Sequence, residues 1–458
     1  MTIFRNATVV EFDPPRVREG LDVVVENGEI REVGPGAGDR PEGPGRGGSG
    51  GSGGAGAPVD ASSIQIIDVT GKLLFPGLVN SHTHYYSALS RGIMAELNPM
   101  PDFVSILRQL WWRLDQAIDL DILYYSGLTA SLDAIRCGTT AAIDHNASAN
   151  AIEGSLGTLR RAFEAAGLRG ATCYEVTDRY GLEGMRAGIA ENVAFAEEID
   201  RAGGDVLVEG HIGGHAPCTI PDDGLAEIAE ACERTGRGFH VHVAEDRWDV
   251  SHSHLTYGED LVARLDRFGL VTDRSMLIHG VFLSRDEVAV LNERGAFLVH
   301  NCRSNMNNGV GYNHLLPEVK NLALGSDGIG GNMFAGVQTA FFKHRDAHGV
   351  MDAGGFLGAL AAGNRLLERI FDRPFGRVEP GYAADLVVAD YCPPTPLVAE
   401  NIAGHMVFGM GPEIVESVMI GGKMVMEERK FPLDVEGLYA EARGQARRLW
   451  DRMNEVEP

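Results

Sequence analysis

Two imidazoles close the segment LLFPGLVNSHTH, residues 73–84, with His82 and His84 at i and i+2. Side chains alternate along a strand, so this spacing sets both rings on one side, where they can chelate a metal. A second pair, His240 and His242, lies in FHVHVAED, and Glu245 follows three residues after His242. His279 ends MLIHG, and Asp327 sits in LALGSDG. His82, His84, His242 and Asp327 offer three borderline nitrogens and one hard oxygen, a shell suited to one divalent cation with room for water. Such an ion makes hydroxide available near neutral pH. Glu245 beside it can take the proton of the water and deliver it to a leaving nitrogen. Asp327 could both hold the metal and receive the first proton. His279 is placed to hydrogen-bond the attacking water or the charge developing on the substrate. The expected chemistry is attack of metal-bound hydroxide on an sp2 carbon, with expulsion of an amine.

These residues lie far apart in sequence, so the elements between them must bring them together. Short runs rich in Val, Ile and Leu recur at 78–84, 140–144, 169–176, 206–211, 238–243, 275–279, 296–300 and 322–326, separated by helical segments. Apolar strands of this kind suit a parallel sheet buried on both faces. Eight such units predict an α/β fold, a (β/α)8 TIM barrel, whose catalytic groups gather at the strand C-termini. The barrel is expected over 75–380. Residues 1–74 with 381–434 are expected to build a small β-sandwich from both chain ends, and 435–458 a closing helix. Late strands are predicted at 385–389, 405–408, 417–420 and 423–426. The stretch 43–58, GPGRGGSGGSGGAGAP, reads as a flexible insertion, because glycine this dense loses too much backbone entropy to pack. No GK[ST] closes it, so it is not a phosphate loop.

The other histidines are weaker candidates. His240 is expected to pack behind the metal ligands, and His145, in IDHNAS, reaches the same rim without being a ligand. His211 reads as structural; His215, before Ala216 and Pro217, reads as a substrate contact. RSNMNN, 303–308, follows the seventh strand, and Asn305 is its expected ligand contact. Arg179, after the third strand, could meet an anionic or carbonyl group. Trp111 and Trp112 either anchor the core or wall the pocket, with Trp112 taken as a substrate contact. The five lysines, at 72, 320, 343, 423 and 430, fall away from strand ends, so no carbamylated lysine can bridge two metals; one ion is expected.

Composition narrows the partners. With 64 acidic and 40 basic residues the formal charge is −24, which argues against nucleic acid or an anionic membrane. The six cysteines are scattered without a CxxC pair, so no zinc knuckle or disulfide framework is expected. MTIFRNATVV carries no signal-peptide pattern and no run approaches 18 apolar residues, which makes the cytoplasm the expected compartment.

PGLVNSHTH, HVAE, the sixth-strand His279 and SDG together resemble the amidohydrolase superfamily, in its mononuclear aminohydrolase and chlorohydrolase branch. Within it, LWWRLD, IDHNAS, CYEVTDR, HVAEDR, HNCRSNMNN and DYCPPTPL are similar to the aminohydrolases found with selenium-dependent molybdenum hydroxylase gene clusters. The resemblance implies a zinc-dependent enzyme, with iron the second choice, forming a homodimer or larger homo-oligomer. It also implies that His215 contacts the substrate ring and Asn305 lies near the substrate. Cys218 to Ile220 departs from the Ser-Pro continuation usual in the branch, so nucleoside specificity does not transfer simply. The expected function is release of ammonia from a purine-like or related N-heterocycle. Two alternatives stay open: hydrolysis of a cyclic amide, N-acyl or chloro-heterocycle bond at the same metal site, and a non-catalytic barrel scaffold, which would lack some of these ligands.

Overall fold

The computed structural model describes residues 1–39 and 64–457, so the glycine-rich stretch 43–58 lies outside the described residues. The chain opens with β1 (Thr2–Phe12), β2 (Pro15–Glu26), β3 (Glu29–Gly34), β4 (Gln65–Asp68) and β5 (Leu73–Pro76). Gly77 separates β5 from β6 (Leu78–Thr83), so the apolar run before His82 serves two different sheets. Then follow β7 (Thr139–Asn146), β8 (Arg169–Tyr174), β9 (Val208–Gly210), β10 (Ile212–Gly214), β11 (Phe239–Val243), β12 (Met276–His279), β13 (Phe297–His300) and β14 (Leu322–Leu324). The last strands are β15 (Leu386–Ala389), β16 (Val415–Ile420) and β17 (Lys423–Met426).

Strands β6 to β14 pair only in parallel, in the ladders β6-β7-β8-β9 and β10-β11-β12-β13-β14. β9 and β10 are one pass of the chain interrupted at His211, where the sequence predicts a single strand ending. Parallel bridges Val176–Gly214 and Thr83–Asp327 join the two ladders on either side. The architecture is a (β/α)8 barrel. Helices between the strands cover it, among them Leu120–Arg136, Ser155–Ala166, Gly181–Ala202 and Asp222–Thr235. Strand residues Ile143, Ala171, Ile278 and Val299 share a core cluster with Leu366 and Leu367 of helix Ala353–Phe371 and with Phe375.

Strands from both chain ends form one sheet, β17-β16-β15-β5-β1-β2-β3, with β4 on β1. A bridge between Glu29 and Ala383 brings its far edge back to the segment before β15. Phe4, Val23, Leu74, Leu386 and Met419 share the core that this sheet encloses. The link to the barrel includes a buried ion pair: Arg169 at the start of β8 holds Asp385 through two contacts of 2.6 and 3.1 Å.

One local expectation is corrected, and two helices lie where the sequence reading places none. The predicted strand at 405–408 belongs to helix Ile402–Phe408, which buries Ile402 and Met406 one turn apart, a helical rather than a two-residue period. A helix at Arg247–Tyr257 was not foreseen; Asp246 caps it by accepting from the Trp248 N–H at 2.8 Å. The polar RSNMNN stretch lies largely within helix Cys302–Asn307, which turns consecutive side chains in different directions.

Candidate metal centre and substrate cavity

The barrel carries its polar residues to one rim. His82 lies in β6 and His84 just after it; His242 lies in β11, and His279 ends β12. Asp327 is brought in beside β6 by backbone bonds from the Ser326 and Asp327 N–H groups to His82 O, at 2.9 and 3.0 Å. That approach needs Gly325, where a Cβ would lie 2.3 Å from Asn301 Oδ1 and 2.9 Å from His82 O. Three non-glycine residues at the rim take the left-handed conformation: Ala244 at φ 51°, His279 at 70° and Asp327 at 53°. Strained backbone of this kind concentrates at functional sites.

Imidazole nitrogens and carboxylate oxygens then converge. His82 Nε2 lies 3.3 Å from His242 Nε2 and 3.4 Å from Asp327 Oδ1, and His84 Nε2 lies 2.8 Å from the same oxygen. Three overlapping clusters among the described residues have the spacing to hold a metal: His82, His242, His279 and Asp327; His82, His84, His145 and His242; and Glu175, His215 and His242. The outward nitrogens fit such an ion. His84 Nδ1 donates to His145 O at 2.7 Å and His242 Nδ1 to His215 O at 2.9 Å. With Nδ1 protonated, each Nε2 turns a lone pair inward, as a ligating histidine must. His82 Nδ1 meets His240 Nε2 at 2.8 Å, so His240 stands behind the ligands, as the sequence suggests. Charge balance points the same way. Burial lowers both imidazoles and takes His82 down to about 3, but at His84 the Asp327 carboxylate outweighs burial and raises the ring to about 10. Asp327 resists the upward push of burial and stays well below the usual carboxylate range because His84 and His82 face it. The His84 Nε2 proton thus stands toward Asp327 Oδ1, where a bound cation would take its place and free the lone pair.

Glu245 and His279 stand next to this cluster, with Glu245 Oε2 3.5 Å from His279 Nε2. Burial raises the Glu245 carboxyl to about 7, which keeps a proton exchangeable near neutrality. His279 Nδ1 donates to Asn305 Oδ1 at 2.7 Å, directing Nε2 toward Glu245. Asn305 is therefore behind His279 and not among the residues lining the cavity, contrary to the ligand contact expected of it; the helix register hands that position to Asn308, whose Nδ2 reaches Glu245 Oε1 at 3.4 Å. Ser304, from the same helix, hydrogen-bonds Asp327 Oδ2.

A cavity of about 200 Å³ opens over these groups. Phe103, Leu107, Trp111, Trp112 and Trp248 give it an aromatic and aliphatic wall, so both tryptophans of the WW pair face it. His215 and Arg179 line it too. Arg179 is already engaged: it lies over Trp112 at 5.0 Å and Tyr180 at 5.4 Å, 3.4 Å from Asp115 Oδ2 and 3.1 Å from Thr177 Oγ1. Sequence reading missed Glu175, Asp115 and Asn308. Glu175 directly follows β8, and a search for carboxylates at strand ends would have found it. Asp115 sits on a helix and Asn308 caps one, and no spacing in the sequence discloses how either is rotated.

Residues 73–425 match the amidohydrolase family. The chain is 27% identical over 471 residues to a 5'-deoxyadenosine deaminase of Methanosarcina mazei, covering 99% of each. It is 28% identical over 466 residues to a 5-methylthioadenosine/S-adenosylhomocysteine deaminase of Pelotomaculum thermopropionicum, covering 98% of this chain and 99% of that one. Among solved structures, an adenosine deaminase from Xanthomonas campestris with bound zinc superposes with a TM-score of 0.80 at 26% identity, over 99% of both chains. A zinc-bound atrazine chlorohydrolase from Arthrobacter aurescens reaches 0.79 at 20% identity, over 97% of this chain and 100% of that one. The family match takes in the barrel strands β6 to β14, the metal cluster and the cavity: the chain belongs to the amidohydrolase family.

Proposed function

We propose that the protein is a metal-dependent aminohydrolase that releases ammonia from a purine-like or related N-heterocycle. The observation that carries this reading is the convergence of His82, His84, His242 and Asp327 beside a buried Glu245–His279 pair, under a cavity of heterocycle size. His82, His84, His242 and Asp327 would hold one divalent ion, zinc first and iron second. Bound there, the ion supplies Lewis acidity that makes hydroxide available near neutral pH. Glu245 takes the proton of the attacking water and passes it to the departing nitrogen, so that a C–O bond forms, the C–N bond breaks and ammonia leaves. His279, its ring fixed by Asn305, orients the water and the charge that develops on the heterocycle. Asp327 is held by Ser304 while it serves the ion, and the aromatic wall packs the faces of the ring.

The two deaminase relatives and the zinc-bound adenosine deaminase neighbour support C–N hydrolysis over loss of chloride or ring opening. The resemblance to aminohydrolases of selenium-dependent molybdenum hydroxylase clusters, a homo-oligomeric state and a cytoplasmic setting complete the reading; they rest on motifs and composition. Among the described residues, no helix is long and apolar enough to cross a membrane. The test is a product screen across purines, pyrimidines and their oxidised derivatives, with metal content measured alongside. About one zinc or iron per chain and ammonia as product are expected. Chloride or carboxylate as product would assign the alternative bond, and a metal-free, inactive protein would refute the site.

A further inference from the structure

The proposed mechanism leaves two buried carboxyl groups of the cavity unused. Glu175 and Asp115 both line it, with side chains 4% and 3% exposed. Glu175 Oε1 lies 3.5 Å from His215 Nε2 and 3.8 Å from His242 Nδ1, but His242 Nδ1 already donates to His215 O at 2.9 Å. His215 Nδ1 meets Thr219 Oγ1 at 2.8 Å, and the Thr219 hydroxyl proton has Ala216 O at 3.1 Å. With that proton on Ala216 O, His215 Nδ1 is the donor and its Nε2 presents a lone pair toward Glu175. Glu175 Oε2 and Asp115 Oδ1 have no hydrogen-bond partner in the protein. Several buried acceptors thus share one cavity with no protein donor on them, placed to receive N–H groups of a ligand.

The charge of the lining points the same way. Asp115, Glu175 and Asp246 face the cavity with Asp327, which His84 offsets, and with Glu245 and Asp249, which burial raises to about 7; the arginines there are Arg179 and, exposed to solvent, Arg108. Arg179 is flanked by Asp115 and stacked on Trp112, so its charge is largely offset. An anionic substituent would meet desolvated carboxyl groups with no free buried arginine to pair it.

We propose that Glu175 and Asp115 are specificity-determining residues, and that the cavity takes an uncharged heterocycle presenting N–H donors to them beyond the amine that leaves, and turns away phosphate- or carboxylate-bearing ones. This rests on the aminohydrolase reading and narrows it to a substrate class. Their carboxylates accept the substrate's ring or exocyclic N–H groups, and charge-assisted bonds of this kind discriminate strongly against an analogue that lacks the donor.

The experiment is steady-state ammonia release by the metal-loaded wild type, Glu175→Gln, Glu175→Leu and Asp115→Asn. Each heterocycle that turns over is compared with analogues methylated at one ring N–H at a time, and a nucleoside with its 5'-monophosphate. In the wild type, one methylation should lower kcat/KM at least 30-fold, mainly through KM, and the phosphate at least 100-fold. Metal content reports whether each variant is folded. The methylation penalty should shrink at least tenfold in Glu175→Leu or, should that chain not fold, at least threefold in Glu175→Gln; Asp115→Asn should relax the rejection of the phosphate. Equal penalties in wild type and variants, with ammonia still released, would overturn the inference and leave the aminohydrolase reading standing. No ammonia from any heterocycle would overturn that reading itself.

Discussion

Asn305 gives the sharpest test of the site, because sequence and structure assign it different work. The sequence suggests that it touches substrate; the structure places it behind His279, accepting the Nδ1 proton at 2.7 Å in a buried position. Asn305→Leu removes that acceptor at little cost in volume. It leaves a buried N–H unsatisfied, a loss of about 1–3 kcal/mol that falls on the orientation and tautomer of His279. If that loss is felt in the transition state and not in ground-state binding, kcat falls about 5- to 150-fold while KM changes less than about twofold. Asn305→Asp keeps an acceptor at the same place and should recover most of kcat. The assay is steady-state ammonia release on a heterocycle found by the product screen, with metal content measured for every variant. A rise in KM at unchanged kcat would show that Asn305 contacts substrate after all and would refute the reasoning. Loss of metal in Asn305→Leu would refute it differently, by making His279 part of the ligand shell, a role that the cluster with His82, His242 and Asp327 makes geometrically available.

Other outcomes follow from the same geometry. Glu245→Gln should retain its metal and lose about 10²- to 10⁴-fold in kcat, since an amide cannot move the proton; retained turnover would shift the proton work to Asp327 or His279. Asp385→Asn breaks a buried two-contact pair with Arg169 and should cost about 3–5 kcal/mol in denaturant unfolding, because it strands a buried guanidinium; a loss under about 1 kcal/mol would show that the pair is not a structural tie. Asp249 is raised to about 7 by burial, against which the Ala244 N–H works. Its folded-state pKa lies above the unfolded one, so its contribution is fully present below about pH 4 and is lost as pH rises through about 7. Asp249→Asn should therefore gain on the wild type between pH 5 and pH 8, by a few degrees of Tm (on the order of 1 kcal/mol); a pH-independent difference would contradict the burial argument.

The barrel strands were legible in the sequence because they obey local rules: short apolar runs, punctuated by helices and ended by polar residues, need no tertiary information to be recognised. His82, His84, His242, Glu245, His279 and Asp327 could be picked out because barrel topology carries every strand C-terminus to one rim, so strand-end position substitutes for distance. Where position depends on rotation about a helix axis, the sequence was silent. At about 100° per residue, Asn305 and Asn308 stand about 60° and nearly one turn apart, enough to set one behind His279 and the other at the cavity, while Asp115 and Trp112, also three apart, come in together. The break of the fourth strand at His211 and the helix at Ile402–Phe408 were likewise set by packing against neighbours, which overrides local preference in short segments. Hydrogen-bond direction came last of all. Which nitrogen of each histidine faces inward depends on carbonyls from distant segments, His145 O for His84 and His215 O for His242. Residue type and spacing named the atoms able to hold a cation; only the folded chain aims them, because aiming is done by partners that sequence order does not place.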